Sequence, residues 1–231
     1  MSAKIFNLQS GMTVRIVKRR NTKYIRLRID SAGTPTVTIP NWTPYAIGVQ
    51  YANSKSQWII ANHRPSKLFY DSQNIGKLHS IKAVHNSKKI KCLIRENEII
   101  VHIPEAKSIN DPDIQGIIHK NAITALKIQA EYLLKDRIIR LAKIHKFKIK
   151  SIRFKNLKSR WGSCDQHQNI TLNIHLLHLP WELIDYVLLH ELTHTKIMKH
   201  GSIFWTEMKK HMPDVDLHKK KIKNYQPNFN N

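Results

Sequence analysis

The sequence predicts an α+β fold in which a β-rich N-terminal part, residues 1–110, precedes a more helical core, residues 111–231. Three observations predict it. Short runs of alternating polarity separated by turn residues dominate the first hundred positions. A proline-free stretch rich in Ala, Leu, Ile and Lys follows from Asp113, and a proline-led apolar helix near residue 190 carries a pair of histidines four apart.

The chain of 231 residues is long enough to bury a core. Hydrophobic residues make up 41% of it, with no apolar run near the roughly eighteen residues that span a bilayer, so a soluble protein without membrane partners is expected. The start, MSAKIFNLQSGMTVRIVKRR, lacks the apolar stretch of a secretory signal. Two cysteines, Cys92 and Cys164, fit a reducing cytoplasm. Lys+Arg number 39 against Asp+Glu 16, a formal net charge of +23 that attracts polyanions, so nucleic acid or a phosphorylated substrate enters as a partner class. The lysines spread along the whole chain, which equally suits a generally basic, solvated surface.

Taken in order, TVRIVKR, KYIRLRID and TVTIP read as strands, with SAGTP as a turn between the last two. After Pro44, YAIGVQYANSKSQWIIANH has helical spacing, with Ile47, Tyr51, Trp58 and Ile59 on a shared face and Pro65 closing it. KKIKCLIRENEIIVHIP reads as a hairpin about Glu96-Asn97. The turn chemistry of AKSINDPD marks the domain boundary near residue 110, and residues 113–146 form one long helix. Its apolar positions Ile118, Ala122, Leu126, Ala130, Leu133, Ile138 and Leu141 drift round a face suited to packing on a sheet. Strand IKSIRF, the polar loop KNLKSRWGSCDQHQN, strand ITLNIHL and Pro180 lead into the last decisive helix.

That helix contains His190-Glu191-Leu192-Thr193-His194. Positions four apart lie one turn above each other, so His190 and His194 project from one face and can bind one ion. Glu191, one residue after the first ligand, can reach an activated water without occupying the ion, take its proton and later deliver it to a leaving group. Chance is the competing explanation in a chain with 14 histidines, but the preceding IDYVLL is the apolar approach of a buried helix, where His and Glu need partners.

A catalytic zinc usually has three protein ligands and an open position. His200 is the leading third ligand. In an unbroken helix it would sit about 240° round and about 9 Å further along from His194, so the helix must end or bend between Thr195 and Lys199. The histidine spacing equals that of metzincins, but the glycine with which those chains turn would fall at Ile197, and Gly201 comes four residues later. The competing ligand is a carboxylate on the next helix, Glu207, as in gluzincins.

With KSRWGSC, an ITLN strand, the proline-led IDYVLLHELTH helix and HGSIFW in this order, the chain resembles the YgjP-like metal-dependent hydrolases, relatives of SprT-like zinc metallopeptidases. The likeness runs over nearly the whole chain. It implies a compact zincin-like core of minimal gluzincin type, in which the HExxH helix packs on a small sheet. It also implies one zinc ion held by His190, His194 and His200, with Glu191 as base. Arg160, in the loop before ITLN, and Asn173, at that strand's end, become candidate substrate-binding residues, and Gly162 permits close approach there. Arg160 has an equally good structural role in pairing with Asp185. Cys164 reads as a small buried thiol, His175 and His178 as structural or exposed, and Phe204 and Trp205 as packing.

Three functions follow. The first is a zinc peptidase in which an extended chain pairs with the ITLN strand. The second is hydrolysis of a nucleoside triphosphate such as UTP, which the resemblance also permits and for which basic residues would hold the phosphates. The third is a nucleic-acid-binding protein with a structural zinc, against which Glu191 argues, because a closed structural site has no use for an acid beside an open position.

Overall fold

A computed structural model describes residues 3–29, 34–62 and 68–229, which divide into two compact units, residues 1–67 and 68–231. Most of the turn expected at SAGTP (31–33), and Pro65, lie outside the described residues.

The first unit is a four-stranded sheet with two helices. Strands β1 (Ala3–Asn7), β2 (Thr13–Arg19), β3 (Arg26–Ile29) and β4 (Pro35–Pro40) are ordered β1-β2-β4-β3, with β2 and β4 parallel. Alternation sends Val14, Ile16, Val37 and Ile39 into a core closed by α1 (Tyr45–Ser54) and α2 (Ser56–Asn62). The single helix expected there is broken at Lys55, and its buried face is Gly48, Ala52 and Ile59; Ile47 and Trp58 are exposed. The small side chains decide this, since a Cβ on Gly48 would already stand 3.0 Å from Ile16.

In the second unit, β5 (Asn74–Ile75), β6 (His79–Val84), β7 (Lys91–Arg95) and β8 (Glu98–His102) form a sheet ordered β5-β6-β8-β7, with the expected hairpin turning at Glu96 and Asn97. Ile81, Ile99 and Val101 from this sheet share one core with the later helices. A boundary near residue 110 would cut that core, and the two units divide at Lys67 instead.

The long helix begins as α3 (Pro112–Gln129), passes through a π-helical turn (Ala130–Leu134) and continues as α4 (Lys135–Ile144). Its buried residues include Ile114, Ile118, Ala122, Leu126, Ala130, Leu134, Ile138 and Ala142 at every fourth position, with Ala125 and Gln129 buried beside them. A spacing of four overshoots an α-helical turn by about 40° per step, and the wider π turn takes up part of that drift. Ile138 is buried as expected, while Leu133 and Leu141 are partly buried and pack against the core beside the fully enclosed Leu134 and the buried Ala142.

Strands β9 (Ser151–Lys155), β10 (Gly162–Cys164) and β11 (Asn169–Asn173) form a third sheet ordered β10-β11-β9. β11 is central and β10 lies at the edge. A 3₁₀ turn (Ile174–His178) leads to α5 (Trp181–His194), followed by α6 (Ser202–His211) and α7 (Val215–Lys221). α5 lies against α4, α6, α7 and β10, and is buried on nearly every side. No helix among the described residues is long and apolar enough to cross a membrane.

Candidate metal centre

Pro180 caps α5 and His194 is its last residue. The N–H groups of Lys196 and Ile197 both return to Thr193 O at 3.0 Å, and the chain then runs back without any positive φ between Thr195 and Gly201. The turn is therefore made by a tightened helix end, with no left-handed glycine. It returns His200 to the face of His190 and His194, as the helix geometry required.

The three Nε2 atoms converge. His194 lies 3.2 Å from His190 and 3.1 Å from His200, and His200 lies 2.9 Å from His190. Three imidazoles in a triangle of this size cannot all satisfy one another by hydrogen bonds, since each neutral ring has one donor nitrogen. They can hold one metal ion, and among the described residues this is the one His, Cys or carboxylate group that can. His194 Nδ1 stands 3.0 Å from Ile197 O, which fixes its proton there and leaves the Nε2 lone pair free. Burial first, and then the neighbouring His194 and His200, push His190 down to about 3, so it is a neutral donor. Phe204 forms the floor of the cluster, its ring 4.9, 4.6 and 4.9 Å from those of His190, His194 and His200.

Glu191 is buried, lines the same cleft as the three histidines and lies against Gly162 of β10. Its Oε1 and Cγ occupy the space a Cβ on Gly162 would need, at 2.7 and 2.8 Å, and its Oε2 has no hydrogen-bond partner among the described residues. Burial pushes this carboxyl up to about 8, against the pull of the Arg160 charge. A cleft of about 280 Å³ joins Gly162, Ser163 and Cys164 to His190, Glu191, His194, Met198 and His200. Cys164 contributes a protonated thiol, raised to about 11 by burial and then by Glu191 and Asp165.

Glu207 is not part of this cluster. It binds Lys210 at 2.9 Å, with Lys196 and His211 each at 3.4 Å, and Lys210 above all holds it down to about 2. Asp185 pairs bidentately with Arg137, so the alternative partner for Arg160 is already taken. Asn173 is fully buried and does not face the cleft. Its amide donates to Leu157 O and Arg160 O, both at 2.8 Å, and its carbonyl accepts from His175 N, so it anchors the loop carrying Arg160. His175 is buried, with His178 half-buried beside it.

Two neighbours escaped the sequence reading. Tyr186, one helical turn before His190 and 6.1 Å from its ring, is buried and raised to about 12, chiefly by burial; its position four residues before the first histidine was the available signal. Arg153 lines a second pocket together with Arg160, Ser163 and Thr171, and the alternation in IKSIRF could have exposed it.

Residues 23–225 match the model of a family described as YgjP-like, metallopeptidase domain. No curated protein matches the chain. Two solved structures are similar to part of it. The metallopeptidase zymogen of Pyrococcus abyssi abylysin is 26% identical, with 40% of this chain and 93% of that one covered and a TM-score of 0.37. The metallopeptidase zymogen of Methanocaldococcus jannaschii jannalysin is 26% identical, with 39% and 93% covered and a TM-score of 0.35.

Proposed function

Because the chain belongs to the YgjP-like metallopeptidase family, we propose that it is a zinc-dependent peptidase with a zincin-like core, in which His190, His194 and His200 hold one ion and Glu191 is the general base. The observation that carries this reading is the triangle of three Nε2 atoms with sides of 2.9 to 3.2 Å. Tetrahedral zinc with nitrogen ligands at about 2.0–2.1 Å needs nitrogens about 3.4 Å apart, close to these sides. Zinc, when bound, supplies a Lewis acid and lowers the pKa of water to about 7. Glu191 takes the proton of the attacking water and passes it to the leaving amine, a task suited to a carboxylate whose Oε2 has no hydrogen-bond partner among the described residues and which lines the same cleft as the three histidines.

The substrate strand pairs with β10 rather than with ITLN, because β11 already has neighbours on both sides. Asn173 N bonds to Trp161 O and Asp165 N to Asn169 O, so residues 161, 163 and 165 point their backbone groups at β11. Gly162 and Cys164 consequently point theirs outward, free to hold an extended polypeptide beside Glu191. The test is zinc-loaded protein against its Glu191→Gln variant, assayed on unfolded polypeptides and on a nucleoside triphosphate panel. Peptide cleavage that disappears in the variant is expected. Glu191-dependent hydrolysis of triphosphates with no peptide cleavage would overturn the reading.

A further inference from the structure

We infer that Arg153, Arg160, Ser163 and Thr171 form a subsite on the outer face of the third sheet that selects an aspartate or glutamate side chain of a polypeptide laid along β10, an inference that rests on the peptidase reading.

The register builds this subsite. Gly162, Leu172 and Phe154 form one cross-strand row, and Cys164, Ile170 and Ile152 another, with Leu172 and Ile170 in the core. The row between them, Ser163, Thr171 and Arg153, faces the opposite way. Arg160 joins it from the loop before β10, its backbone held by Asn173. Together these side chains line a polar pocket of about 340 Å³. Asp165 also borders it, but its carboxylate is engaged by His167 N at 2.8 Å and by Asn169 N and Nδ2 at 3.0 and 2.9 Å. Neither Arg153 nor Arg160 has an ion-pair partner among the described residues. Lys148, Lys150, Lys155 and Lys158 flank the two arginines in sequence, and no acidic residue occurs from Arg137 to Cys164, so Asp165 at the border and the charge of Glu191, felt by Arg160, are the acids near the pocket.

A strand added at the edge of a sheet shares faces with its neighbour residue by residue. A substrate residue opposite Ser163 therefore turns its side chain toward the arginines, while the residues on either side of it turn toward Glu191. The anion bound in the pocket lies on the other face of the sheet edge from the reacting bond, one residue along. An extended polypeptide supplies that alternation through its own backbone. Two guanidinium groups beside hydroxyls suit a carboxylate, which accepts paired N–H donors.

The deciding experiment digests a library of peptides of mixed sequence with the zinc-loaded full chain and maps the cleaved bonds by mass spectrometry. Asp and Glu should be enriched roughly ten-fold at one fixed position from the cleaved bond, the scale of one hydrogen bond to a charged group, and the enrichment should shrink as salt is raised. In the Arg153→Glu/Arg160→Glu double variant the same position should lose its acidic preference and take Lys or Arg. Cleavage by the wild-type chain without acidic enrichment at any position would overturn the subsite and leave the peptidase reading standing. Absence of any cleavage would overturn that reading and the subsite with it. Because the wild-type map decides by itself, misfolding of the double variant would not protect the proposal.

Discussion

Glu191 Oε1 lies 2.7 Å from where a Cβ on Gly162 would be, so the glycine of the edge strand is what lets the carboxylate stand beside the three histidines. Gly162→Ala should push Glu191 aside without touching the Nε2 triangle. We expect catalytic activity to fall about 100-fold, the usual cost of a displacement near 1 Å, with zinc stoichiometry unchanged. Parallel measurement of kcat/KM and bound metal tests this, and loss of the metal would refute it.

The third ligand can be separated from its rival. His200→Ala should weaken zinc binding beyond the roughly 10–100-fold typical of losing an outer partner. Glu207→Ala should retain one zinc per chain, because that carboxylate is engaged by Lys210, Lys196 and His211. Competition against a metal-binding dye gives both numbers, and the opposite order would reinstate Glu207.

Phe204 is fully buried and touches all three imidazoles. Phe204→Ala should cost about 3–5 kcal/mol of stability and also loosen the metal, since the rings lose their common support. Urea unfolding of the metal-free protein isolates the first effect, and zinc titration of the folded variant the second.

Acid should destabilise the second unit through His175 as well as through carboxylates. Burial, then the nearby His178 and His119, bring His175 down to about 3 from 6.5, and burial with Lys77 brings His178 to about 4. Between pH 6.5 and 3 the unfolded chain holds a proton that folded His175 refuses. Its contribution is thus intact above 6.5 and is lost as pH falls toward 3, at up to about 1.4 kcal/mol per pH unit. Denaturation of metal-free protein across pH 7.5 to 4 should show this slope, and His175→Leu should flatten it. An unchanged slope in the variant would remove His175 from the account.

Local periodicity determined a good part of this molecule. The hairpin at Glu96 and Asn97, the end of α5 before Lys199, and the shared face of His190 and His194 all follow from residues within a turn or two of each other. Long-range packing decided what such reasoning could not reach. Leu134 and Ala142 are buried while Leu133 and Leu141 are only partly so, and Gly48 and Ala52 face the core because the sheet comes too close for larger side chains. β11 became central and β10, formed by the GSC of the segment read as a loop, the free edge only when β9 paired with β11. Glu207, a plausible ligand by type and spacing, was captured by Lys196, Lys210 and His211, of which only two lie on its own helix. The sequence by itself determined which residue types stand at helical spacing, because that geometry is local. Only the tertiary structure decided which strand edge stays open and which polar groups find partners, because each depends on segments far apart in the chain.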